Sequence, residues 1–133
     1  MWIFLNDAMF SIVQDFDDPH LLLVRSRVKG DIEKVFADAT VYADEGTDYK
    51  YRAWLPKSTV AVAIAHEVDL IDYSNFKNSV NDPKRAKAYT AVWGDMMRYQ
   101  QNVNPVKFQG LYERAGFYGQ ELGGSSSPAG AEW

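Results

Sequence analysis

Asn6 and Asp7 stand between two short β-prone runs, Trp2 to Leu5 and Met9 to Gln14, and this punctuation limits what the chain can become. Both residues tolerate left-handed backbone angles, so the pair reads as a tight hairpin turn, and a tight turn joins antiparallel strands. The pattern then repeats. Asp15-Phe16-Asp17-Asp18-Pro19 is a second turn, and His20 to Val28 follows as a strand. Its centre, Leu21-Leu22-Leu23-Val24, is a continuous apolar run that predicts burial on both faces, before Arg25-Ser26-Arg27-Val28 changes to alternation.

Lys29-Gly30-Asp31 breaks that strand, and Ile32, Val35 and Phe36 recur at helical spacing, predicting one or two helical turns over 31 to 37. A short strand, Thr40 to Ala43, and an alternating aromatic strand, Tyr49 to Trp54, flank the turn residues Asp44 to Asp48 and predict a second hairpin. Pro56 is placed to open a helix at its first position, with Val60, Ala61, Ile64, Ala65, Val68 and Ile71 as an apolar stripe through about residue 72. Tyr73 to Asn81 is a connection. Asp82-Pro83 is the clearest helix start, an acceptor at the N-cap followed by Pro, and Ala86, Tyr89, Val92, Trp93, Met96 and Met97 mark one face to about Gln101.

After Asn104-Pro105 no period is sustained, and Gly123 to Gly130 has linker composition. The sequence therefore predicts one α+β domain over 1 to 103 and a C-terminal arm and flexible tail over 104 to 133. Its expected architecture is an antiparallel sheet of about five strands packed with two to three helices, of which a ferredoxin-like split β-α-β arrangement is one version.

With 133 residues, 47% apolar and 24% charged, the chain has the size and composition of a single soluble globular domain. It has no cysteine, which removes disulfide frameworks, thiol catalysis and thiolate metal sites together and fits a reducing cytoplasm. No apolar run approaches the roughly 18 residues of a spanning helix, and the opening lacks a basic n-region, so the expected location is the cytoplasm and no membrane partner is expected. A net charge of -4 argues against a general nucleic-acid coat protein and is too mild for a mimic of DNA, yet it leaves room for a local basic patch.

Catalytic patterns are missing at each place where one could start. His66-Glu67 opens a zinc-protease pattern, but Leu70 stands where the second imidazole belongs. No Gly-x-Ser-x-Gly, Gly-x-x-x-x-Gly-Lys or Gly-x-Gly-x-x-Gly sequence occurs. Asp15, Asp17 and Asp18 cluster with Pro19 in a turn, where solvated acids belong. No catalytic residue, metal site or cofactor is expected, although a pair of carboxylates far apart in sequence would escape this reading.

The stronger constellation is basic and aromatic. In a strand, Arg25 and Arg27 face one side, and Lys50 and Arg52 share a side with Trp54, so pairing of these strands predicts a ribbon of four cations beside an indole. Such a surface can hold a phosphate, a nucleotide, RNA backbone or an acidic protein patch. The bland alternative is a solvated strand face balanced by Asp31, Glu33 and Asp48. In the connection, Phe76 is expected to pin the loop to a core, whereas Tyr73, Asn75 and Lys77 are open as contacts for a partner. Trp93, Met96 and Met97 with Tyr89 fit either a core or a partner groove or dimer seam, which keeps a homo-oligomer open.

The opening Trp2-Ile3-Phe4-Leu5-Asn6-Asp7-Ala8-Met9-Phe10-Ser11-Ile12-Val13 resembles the start of a group of small uncharacterised proteins encoded in bacteriophage and bacterial genomes. Leu22 to Arg27 with Gly30 to Glu33, Asp48 to Ala53, and Asp72 to Lys77 are similar as well, so the resemblance spans about residues 2 to 100. It brings no activity with it. What it implies is a phage or phage-like origin, where small cytoplasmic proteins act by binding and redirecting a host component. The resulting expectation is a non-enzymatic binding protein that engages and modulates a host macromolecule, a host protein foremost, for example by inhibiting a defence or gene-expression component. Nucleic-acid or nucleotide binding through the basic strand face is the second expectation, and a carboxylate-dependent enzyme the third.

Overall fold

In the computed structural model, which describes residues 1 to 104, the chain runs β1 (Trp2–Phe4), β2 (Met9–Gln14), β3 (Leu21–Ser26), α1 (Asp31–Val35), β4 (Tyr42–Ala43), β5 (Tyr51–Pro56), α2 (Lys57–Asp69), α3 (Phe76–Ser79) and α4 (Pro83–Val103). This is the α+β class that turn-separated strands followed by helical stripes predict. The chain divides into two compact units, Met1–Ser74 and a second that begins at Asn75. The folded region expected over 1 to 103 thus spans both, and the expected arm and tail lie outside the described residues except for Asn104.

The turns are built by their own side chains. Leu5 donates its N–H to the Ala8 carbonyl at 2.8 Å to close the first hairpin. In the second, the Asp15 carboxylate accepts the N–H groups of Asp17 at 3.1 Å and Asp18 at 3.0 Å, and the Asp18 carboxylate accepts that of His20 at 2.8 Å. An acid at these positions folds the backbone without needing a glycine. Gly30, at φ 90°, precedes α1 in the one left-handed conformation of the described residues, which its missing Cβ makes inexpensive.

All five strands pair antiparallel in the order β1-β2-β3-β5-β4. Because β5 is antiparallel to both neighbours, β3 and β4 run in the same direction with β5 inserted between them, and β3-α1-β4 is a split β-α-β unit. The order β2-β3-β5-β4 is that of a ferredoxin-like sheet with one change of connection: the strand that would follow α2 is supplied instead by β2, ahead of the unit. β1 adds a fifth strand outside it.

Both helices of the first unit serve one face. Phe10, Ile12, Val24 and Ala53 share that face through the pairs Ile12↔Val24 and Val24↔Ala53, and they are buried with Ile32 of α1 and Val60 of α2. Phe10 meets Phe36 edge to face at 5.7 Å between ring centres. Asp31 is also buried there, and its carboxylate accepts the Met9 N–H at 3.1 Å, tying the start of β2 to α1.

Several details differ from the expectations. The run Leu21 to Leu23 is only half-buried: Leu22 packs partly buried against the core, while Leu21 and Leu23 alternate to the other face of the sheet. On α2 the core-facing residues are Val60, Ala63 and Ile64, while Ala61, Ala65 and Val68, and Ile71 just past its end, are exposed, so four of the six residues of the expected stripe face outward. Pro56 ends β5 and caps α2 rather than opening it. In the second unit, α3 is a short helix that was expected as a loop, capped by the Asn75 side chain, which accepts the Asn78 N–H at 3.3 Å. Phe76 stacks on Tyr89 of α4 at 5.9 Å and 13°, the pinning role expected of it, and Asp82 caps α4 by accepting the Lys84 N–H at 3.2 Å.

Candidate functional site

The sheet face opposite α1 and α2 carries the basic and aromatic residues. Register places Trp2 opposite Ser11, Ser11 opposite Arg25, Arg25 opposite Arg52 and Arg52 opposite Tyr42, a single row crossing all five strands. A second row two residues along holds Val13, Leu23 and Trp54. Trp2 is 65% exposed, Tyr42 56% and Trp54 43%, values that leave each ring accessible to a partner. None of the strand positions on this face holds Asp, Glu or Lys.

The expected four-cation ribbon is present only in part. Arg25 and Arg52 lie directly opposite one another, two residues from Trp54 along β5. β3 is shorter than the sequence predicts and β5 is shifted two residues toward the C-terminus, so Arg27 falls just past the end of β3 and Lys50 just before the start of β5. Each of these two is engaged locally. Arg27 donates to the main-chain carbonyl of Asp48 at 2.6 Å, and its guanidinium carbon sits 4.2 Å from the centre of the Tyr49 ring. Lys50 pairs with Glu45 at 2.6 Å, and that hydrogen-bonded ion pair raises the lysine pKa and lowers the glutamate one.

Arg25 and Arg52 are held without being neutralised. Arg25 donates to the Ser11 hydroxyl at 2.8 Å and lies 4.7 Å from the Tyr49 ring centre, while its Nε is buried with no hydrogen-bond partner. Arg52 donates through Nε to the Tyr49 carbonyl at 3.4 Å, a long contact. Among the described residues no carboxylate forms an ion pair with either guanidinium. Asp31 and Asp48 were expected to balance the basic face, but Asp31 is buried near Lys34, and Asp48 meets Arg27 through its backbone.

Trp54 is oriented by two contacts. Its indole N–H donates to the Asp15 carboxylate at 2.9 Å, and its ring meets Tyr42 edge to face at 5.8 Å. The Asp15 carboxyl is held below the usual aspartate range, first by the Asp18 N–H and further by the Asp17 N–H and the indole, against the opposing effect of burial. Trp2 and Tyr42 did not stand out in the sequence as binding candidates. Alternation puts Trp2 with Phe4 and Tyr42 with neither arginine until the strand order is known, so the signal existed only in the register.

The connection residues divide between the units. Tyr73, half-buried, lines a cavity of about 380 Å³ in the first unit, together with Asp7, Lys34 and Glu67. Asn75 is the cap of α3, and Lys77 is exposed on that helix in the second unit. Among the described residues, no group of three or more His, Asp or Glu is arranged to hold a metal ion, and no helix is long and apolar enough to cross a membrane. No family model, curated protein or solved structure matches the chain.

Proposed function

We propose that the protein is a non-enzymatic binding module that engages a macromolecule through the face of its sheet opposite α1 and α2. The observation that carries this reading is the Arg25–Arg52 pair, two arginines at directly opposite positions of β3 and β5 with no described carboxylate partner, on the face that carries the exposed Trp2, Tyr42 and Trp54. Trp, Tyr and Arg are the side chains that dominate binding energy at interfaces, and lysine and acids are depleted there, as on this face. A host component as the macromolecule, and modulation of it as the outcome, is what the resemblance read from the sequence implies; the geometry of the face speaks to binding alone.

The test is retention from host lysate on the tagged full chain, comparing wild type with Arg52→Ala and Trp54→Ala and with Val62→Ser on the outer side of α2 as a control. Loss of a stoichiometric partner in the two face variants and its retention in the control is the expected result. Equal retention by all three variants removes the sheet face from the function.

A further inference from the structure

We propose that the macromolecule is a single-stranded nucleic acid, laid across the strands with bases on the aromatic rings and phosphates at Arg25 and Arg52; this rests on the sheet face that carries these residues being the binding surface. Three features of that face point to this occupant. Positive charge is concentrated at the centre of the row, where the two arginines meet across β3 and β5, and no acid shares the strand positions of the face. A polyanion supplies the counter-charge that the described residues do not.

The second feature is where the rings stand. Trp2 and Tyr42 occupy opposite ends of the row that contains the arginines, and Trp54 lies beside its centre, so aromatic surface brackets the cations. Five strands spaced as in any sheet make this platform about 19 Å across, wide enough for several unstacked bases. Stacking on an aromatic plane is available to every base and asks for no particular sequence. Duplex DNA hides those planes within its stack, and a face of rings rather than a protruding helix does not enter its groove.

The third feature is the fence of acids at the ends of the strands. Asp15, Asp17 and Asp18 lie at the β2–β3 turn, and Asp44 and Glu45 follow β4. They confine a polyanion to the row of arginines and keep the number of phosphate contacts near two. With two contacts on a single strand, affinity should fall about sevenfold between about 50 and 200 mM salt, far less than for a protein that coats nucleic acid.

The experiment is fluorescence anisotropy of the full chain with a labelled oligonucleotide of about twelve deoxythymidines, an RNA of the same length, and a matched duplex. Expected are single-strand binding with quenching of tryptophan emission, weaker binding to the duplex, and the shallow salt dependence. Trp54→Ala and Trp2→Ala, each checked for folding by circular dichroism, should weaken binding about fivefold or more. Trp2 is 65% exposed, against 43% for Trp54, and lies on the edge strand β1, so its removal disturbs the fold less and keeps the test meaningful if the Trp54 variant is damaged. No single-strand binding, duplex binding as tight as single-strand binding, or equal affinity in the folded Trp2 variant overturns the proposal. Absence of oligonucleotide binding combined with nuclease-resistant, Trp54-dependent capture of a host protein overturns the nucleic-acid assignment and leaves the binding-module reading standing. If the face variants alter neither, both fail.

Discussion

Arg25 stands directly opposite Arg52 in the β3–β5 register, at the middle of a five-strand sheet, with no described carboxylate paired to either. Like charges directly opposite on one sheet face destabilise it, and natural sequences place opposite or neutral partners there. The fold tolerates the pair by draping Arg25 over Ser11 and the Tyr49 ring and by anchoring Arg52 to the Tyr49 carbonyl. A local rule broken at the centre of an otherwise consistent sheet is the pattern expected where function outweighs stability.

Reversing one of the two charges should separate those interests. Arg52→Glu creates an opposite-charge pair with Arg25 and is expected to stabilise the first unit by about 0.5 kcal/mol, which is roughly 2 to 4 °C in Tm. The same change should abolish oligonucleotide binding, since it places a carboxylate where a phosphate is to sit. Urea unfolding beside anisotropy measures both. A less stable Arg52→Glu protein would show that the arginine pair is structural rather than functional.

Lys50 supplies the contrast. Its ammonium is already paired with Glu45, an exposed contact two residues before the arginine row. Lys50→Ala should leave the oligonucleotide affinity within about twofold of wild type and its salt dependence unchanged, whereas Arg52→Ala should lower the slope of log affinity against log salt by about 0.7. Equal effects of the two substitutions would restore the four-cation ribbon as the binding surface.

Much of this architecture was readable from local chemistry. Asn6-Asp7, the aspartates around Pro19 and Asp82-Pro83 each act within a few residues, so the strands and helices they bound fall close to where the sequence places them. Arg25, Arg52 and Trp54 were legible as one face because period-two alternation needs no knowledge of neighbours beyond the pairing of their two strands. Strand order was not legible. The β1–β2 and β4–β5 hairpins follow from their turns, but the register that brings Trp2 and Tyr42 into the row of the arginines needs the β3–β5 pairing as well, which is set by the packing of Phe10, Val24 and Ala53 beneath α1 and α2. Arg27 and Lys50 were misplaced for a simpler reason: alternation continues past the last ladder hydrogen bond, so it cannot mark where a strand stops.

Gly30 tests the chirality of the entry into α1. A Cβ at this residue would meet no atom within 4 Å, yet its φ of 90° lies where side chains are disfavoured. Gly30→Ala is therefore expected to cost about 1 to 2 kcal/mol through backbone strain alone. Denaturant unfolding at unchanged m-value measures it, and a neutral substitution would mean that the loop ahead of α1 relaxes to a right-handed conformation.

Asp15 links the β2–β3 turn to Trp54, so acid should disturb the binding face in a defined order. The carboxyl is stabilised in its charged form by the Asp18 N–H foremost, then by the Asp17 N–H and the Trp54 indole, which holds its pKa below the ordinary aspartate value in the folded protein. A carboxyl whose pKa is lower folded than unfolded adds stability that is complete above the unfolded value and is lost as pH falls through the folded one. Tryptophan emission of the wild type should thus stay constant from neutral pH through the ordinary aspartate range and change only at more acidic pH. Asp15→Ala should shift the emission already at neutral pH by releasing the indole, and its stability deficit against wild type should shrink on acidification as the wild-type carboxyl is itself protonated. A deficit that stays constant across that range would show that the Asp15 contacts contribute as neutral hydrogen bonds, and that the charge of the carboxylate does not hold Trp54 in place.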